Sequence, residues 1–132
     1  AQILDLLNSL KEQFNMSVLM ITHDLGVIAE VCSRVAVMYA GKIIEHSDVK
    51  SLFADPKHPY TLGLMNSIPR MDEEAKRLNA IAGTVPSSYN FPKGCRYHTR
   101  CQLADERCAN EEPGAVEIRP GHQVWCWRHS EI

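Results

Sequence analysis

Four of the five cysteines in this chain, Cys95, Cys101, Cys108 and Cys126, fall near its end with the spacing C-x5-C-x6-C-x17-C. Structural zinc usually takes tight C-x2-4-C pairs, which set two ligands at one corner of a tetrahedron. None of the four is spaced that way. Thiols spread along a chain suit an iron–sulfur cubane better, because each of its irons takes one thiolate. Disulfides and free thiols stay open as well, with three pairings for four cysteines. The chain opens with no basic-then-apolar secretory signal, and a reducing compartment favours metal over disulfide. A tail this short buries little surface unaided, so a bound metal would supply much of its folding energy. His98 and His122 are potential replacement ligands, with surface or outer positions as the plainer reading. Lys93, Arg96 and Arg100 flank Cys95 and could offset the charge of thiolate-bound iron or touch a phosphate backbone. The acidic pair Glu111-Glu112 and a formal net charge of −2 argue against nucleic acid. Cys32 stands apart and reads as a small core residue.

The second chemical candidate is His23, followed by Asp24. Before it, Ser17-Val-Leu-Met-Ile-Thr22 is a short apolar run that reads as a buried parallel strand. Ligands of open α/β sheets bind just beyond the carboxyl ends of such strands. A histidine there can donate to a phosphate or titrate near neutral pH.

Helices, strands and turns must position these groups. Ile3, Leu7, Leu10 and Phe14 recur at helical spacing, which predicts an amphipathic helix with one buried face, ended by Asn15 in a left-handed conformation. Asp24 can cap a helix through Val27, Ile28 and Val31. Arg34 to Tyr39 predicts a second strand, and Ala40-Gly41 a tight turn into Lys42–Glu45 at a sheet edge. Ser47 is placed to cap a short helix that Asp55-Pro56 stops. Pro59 suits the first position of a further helix, with His58 as a corner residue contacting backbone. Arg70 to Leu78 is charged and reads as a solvated helix or linker turn. Ile81 to Val85 could form a strand, and residues 86–94 a flexible boundary rich in Pro, Ser and Gly. In the tail, Leu103 to Asn110 predicts a helix carrying Cys108. Ala115–Ile118 and Gln123–Trp127 predict strands, alternation placing Val124 and Cys126 on one face and the two indoles on the other.

At 132 residues the chain bounds one modest domain or two small pieces. No apolar run approaches the roughly 20 residues of a membrane helix.

ITHDLGVIAEVCSRVAVMYAGKIIE, residues 21–45, resembles the switch-histidine segment of ABC-transporter ATP-binding subunits, particularly of dipeptide and oligopeptide importers. HPYTLGLMNSIP, residues 58–69, resembles the signature of the C-terminal extension of peptide and nickel importers. The cysteine tail resembles the C-terminus of dipeptide-importer ATPases, with Thr99 and Gln102 where prolines are common. The resemblance implies an α/β fold: the C-terminal part of an ABC nucleotide-binding domain, strand-helix-strand-hairpin, over residues 1–54. An oligopeptide-transporter-type extension and linker would follow over 55–94, then a small, irregular, metal-stabilised α+β tail over 95–132. It implies that His23 is the catalytic and cofactor-contacting residue, reaching the γ-phosphate of ATP across a nucleotide-binding dimer. The implied cofactors are ATP and magnesium in the intact subunit and a [4Fe–4S] cluster, or alternatively zinc, on Cys95, Cys101, Cys108 and Cys126. The implied partners are a second ATP-binding subunit and membrane-spanning permease subunits, at the cytoplasmic face of the cell membrane, with no nucleic acid. An ATPase needs a phosphate-cradling G-x-x-x-x-G-K-[ST] loop, which this sequence does not contain. The chain therefore reads as the C-terminal portion of a peptide-importer ATPase, inactive by itself. The rival reading is a stand-alone metal-stabilised regulatory module.

Overall fold

The computed structural model describes residues 2–69 and 80–132. The charged stretch expected to be a helix or linker turn, Arg70 to Leu78, lies outside the described residues. The chain divides into two compact units, Ala1–Ser33 and Arg34–Ile132.

In the first unit, helix α1 (Gln2–Gln13) and helix α2 (Leu25–Val31) flank an extended segment. Asn15 ends the first turn region with φ 49°, the left-handed conformation expected of it. Asp24 caps α2: its carboxylate accepts the N–H groups of Gly26 at 2.9 Å and Val27 at 3.2 Å. The predicted strand over Ser17–Thr22 is not formed. Leu19 and Ile21 are 92% and 94% exposed, where a buried parallel strand was expected. A strand exists only when a neighbour pairs with it, and the described residues supply none for this segment. The apolar stripe of α1 is likewise only half-buried, with Ile3 and Phe14 exposed.

The second unit is built on a four-stranded antiparallel sheet of order β1-β2-β4-β3. Its strands are β1 (Arg34–Tyr39), β2 (Lys42–Asp48), β3 (Val116–Arg119) and β4 (His122–Val124). Ala40 and Gly41, at φ 47° and 79°, form the tight turn joining β1 to β2. β2 is not an edge, because β4 pairs with it at Glu45 and His46. A bulge interrupts the β1–β2 register: Val37 faces Glu45 while Met38 faces Ile43, leaving Ile44 unopposed. Ile44 and Glu45 consequently both turn inward. Helices α3 (Val49–Ala54), α4 (Pro59–Asn66) and α5 (Glu106–Asn110) complete the unit. Asp48, not Ser47, caps α3, its carboxylate accepting from Ser51 N–H at 2.9 Å. Ser47 belongs to β2 and is buried. α5 is shorter than the helix predicted from Leu103, because Asp105 caps it by accepting from Cys108 N–H. Residues 81–85 form no strand. Val37, Tyr39, Ile44, Leu52 and Tyr97 make the core. Tyr39 and Tyr97 pack edge-on within it, and Tyr60 tilts against both, at centroid distances of 4.8–5.5 Å.

Candidate functional site

Glu45 is a charged residue without any exposed surface. Its carboxylate accepts three N–H groups: Lys57 at 2.7 Å, His58 at 2.9 Å and the His122 ring Nε2–H at 2.7 Å. A buried charge is tolerable when partnered this fully. The carboxylate thereby pins the corner at residues 57–59 and strand β4 to the middle of the sheet. His122, expected near the metal or at the surface, is instead the wholly buried partner of Glu45.

From this anchor the corner and β4 lead to one cavity. Cys95, Cys101, Cys108 and Cys126 all line it, with His58, Tyr97, His98, Trp127 and Arg128 among the remaining walls. Each thiol is delivered by local geometry. Cys95 N–H donates to the carbonyl of Cys108 at 2.8 Å, drawing the segment before the first thiol against α5. That approach requires Gly94, where an added Cβ would lie 2.3 Å from the Cys108 carbonyl oxygen. Burial continues to alternate past the end of β4, so Val124 and Cys126 both turn inward as expected. The indoles do not share one outer face: Trp127 lines the cavity too, with the Arg107 guanidinium 3.5 Å over its ring.

All five cysteines are free thiols. Burial pushes Cys95, Cys101 and Cys108 above the usual thiol range, and pushes Cys126 up to about 12. Neighbouring thiols raise Cys126 further, so four thiolates could coexist only around positive charge. Backbone groups oppose the burial: the N–H of Arg128 donates to Cys126 Sγ at 3.3 Å. The backbone at Tyr97 and His98 favours the Cys95 thiolate in the same way, and that at Leu103 and Ala104 favours Cys101. Among the described residues no group of three or more His, Cys, Asp or Glu side chains is placed to hold a metal ion. What the site does offer a thiolate-bound group is four thiols on one cavity and N–H donors that favour their ionised form.

Of the cations flanking Cys95, Arg96 and Arg100 serve the scaffold instead. Arg96 donates to the Ala40 carbonyl, and Arg100 to the carbonyls of Ile81 and Ala82. Arg128 lines the cavity, its charge favours the Cys101 thiolate, and Asp105 and Glu131 hold its guanidinium. The sequence carried a signal for this part of the site in a repeated C-x-x-H. His98 Nδ1–H donates to the Cys95 carbonyl at 2.8 Å, and His129 Nδ1–H to the Cys126 carbonyl at 2.9 Å.

His23 belongs to the first unit. It is exposed and directly precedes the Asp24 cap, whose own N–H donates to Thr22 Oγ1 at 3.0 Å. The polar turn expected there is present, at the end of an extended segment rather than a paired strand.

Residues 44–108 match the model of the oligopeptide/dipeptide transporter C-terminal region. These residues belong to that family. Similarity extends over the whole chain. An oligopeptide transport ATP-binding protein of Bacillus subtilis is 46% identical over 99% of this chain and 40% of its own length. A probable peptide ABC transporter ATP-binding protein of Sinorhizobium fredii is 49% identical over 100% of this chain and 40% of its own length. An oligopeptide transport ATP-binding protein of Haemophilus influenzae is 44% identical over 99% and 40% respectively. The chain thus spans about 40% of the length of the curated relatives it matches. Within that family region lie the buried Glu45, the His58 corner and three of the four tail cysteines.

Proposed function

We propose that the intact protein is the ATP-hydrolysing subunit of a peptide importer, and that this chain supplies its switch histidine and C-terminal extension. The end-to-end similarity to peptide-transport ATP-binding proteins carries the reading. In the intact subunit ATP and magnesium occupy a phosphate loop that this chain does not contain. His23 donates from its imidazole to the γ-phosphate across a dimer of two such subunits, and dimer closure drives the permease subunits at the cytoplasmic face of the membrane. The exposed apolar residues Leu19 and Ile21 suit a segment that becomes a parallel strand when the rest of the nucleotide-binding sheet pairs with it. No described helix is long and apolar enough to cross a membrane. Replacing His23 by Ala in the intact subunit is expected to lower ATP turnover by about 100-fold with ATP binding retained, the effect of losing one donor to developing charge. Unchanged turnover would sink the assignment.

To the four tail cysteines the same reading gives a [4Fe–4S] cluster. Their convergence on one cavity with opposing N–H donors supports it. When bound, the cluster supplies a covalent cross-link between four chain segments and a one-electron redox capacity. The chain's own groups hold the thiolates, offset their charge through Arg128 and exclude water with Tyr97 and Trp127. Anaerobically purified intact subunit should contain iron and acid-labile sulfide in equal amounts, about four of each per chain. Zinc without sulfide would replace the cluster by the alternative metal.

A further inference from the structure

His58 carries an unexplained polar atom. Its imidazole is 1% exposed and lines the four-cysteine cavity. Nδ1 accepts the Tyr60 N–H at 3.0 Å, capping α4. An imidazole nitrogen that accepts has no proton, so the neutral ring carries its hydrogen on Nε2. Nε2 is buried and has no hydrogen-bond partner among the described residues. Leaving such a donor unmet is unfavourable, and neutral thiols are weak acceptors. The ring is also firmly held. Its backbone N–H donates to Glu45, and Tyr97 packs against it at a centroid distance of 5.6 Å. This is a positioned donor at the wall of a thiol-lined cavity, with no partner among the described residues.

We infer that His58 is a positioning residue for the group held by Cys95, Cys101, Cys108 and Cys126, donating Nε2–H to an inorganic sulfur of that group. The inference rests on the cluster reading above. A hydrogen bond to sulfur stabilises the reduced, more negative cluster most, so it raises the reduction potential and slows loss of iron. His58 also joins the cavity to α4 and, through Glu45, to β2 and β4. A change at the sulfurs is therefore felt at the corner of the family's extension.

The test uses His58→Asn in the intact, anaerobically purified subunit. Asn is a good N-cap, so its side-chain oxygen keeps the bond to Tyr60 N–H, while the far donor disappears. Wild-type levels of iron, a lower midpoint potential and chelator extraction faster by about 10-fold or more support the inference. Unchanged potential and extraction rate in a folded, iron-loaded variant overturn it and leave the cluster reading intact. Wild-type protein without iron and sulfide overturns both. Should His58→Asn fail to fold, pulsed electron paramagnetic resonance on reduced wild-type protein with ¹⁵N-labelled histidine decides. Weak coupling to one imidazole nitrogen, absent from wild-type protein labelled elsewhere, supports the hydrogen bond. No coupling, or the strong coupling of a direct ligand, overturns it.

Discussion

Replacing Glu45 by Ala removes one carboxylate and leaves three donors behind: the N–H groups of Lys57 and His58 and the ring N–H of His122. Glu45, His58 and His122 have at most 1% of their surface exposed, so water cannot easily stand in. Leaving three donors unmet at about 1–3 kcal/mol each gives a loss of about 3 kcal/mol or more. A domain of this size has roughly 5–15 kcal/mol in hand, so the variant should sit near the edge of folding. Urea unfolding followed by tryptophan fluorescence reads the effect, because Trp125 and Trp127 follow directly on β4. The expected result is a fall in midpoint equivalent to that loss with an unchanged slope. Adding His122→Leu should recover only the share belonging to the imidazole, since the two backbone donors stay unmet. A loss below about 1 kcal/mol for Glu45→Ala, within the range of surface substitutions, would refute Glu45 as the anchor of the cavity's scaffold.

Three further outcomes follow from the same geometry. Gly94→Ala forces a Cβ onto the Cys108 carbonyl and should cost about 1–3 kcal/mol or more, measured as a lower melting temperature; a neutral result would mean the 94–95 segment does not lie against α5. Hydrogen bonds from Lys57, then Arg119, hold the Asp55 carboxyl below the usual carboxylate range. A depressed carboxyl stabilises the fold above its unfolded pKa, and that contribution fades as pH falls below about 4 toward its lowered value. The melting temperature of Asp55→Asn should accordingly fall less between pH 5 and pH 3 than that of the parent chain, and parallel curves would remove the link between α3 and β3. Cys126→Ser should strip iron from the intact subunit while Cys32→Ser leaves it in place, as metal analysis can show; equal iron in both would dismiss Cys126 as a ligand.

Local features were legible in the sequence because their causes are local. Asp24 caps with donors two and three residues away, and Pro59 begins α4 because its fixed φ suits a first turn. The positive φ at Asn15 and Gly41 follows from the conformations those residues tolerate. The grouping of Cys95, Cys101, Cys108 and Cys126 was visible as composition, and the family as a run of matching residues. Ser17–Thr22 misled because an apolar β-branched run states a preference for pairing without providing the neighbour that satisfies it.

What the amino-acid order settled unaided was therefore the set of caps, turns and thiols, each governed by residues within a few positions of one another. Tertiary structure alone decided that β4 returns to pair with β2, and that Glu45, which looked like the polar end of a hairpin, lies wholly inside. Its donors come from 12, 13 and 77 residues further along the chain, and a bulge at Ile44 turns it inward. Only the packed fold could bring His58 to the wall of the cysteine cavity, since a hydrogen-bond donor's missing partner becomes visible when everything around it is in place.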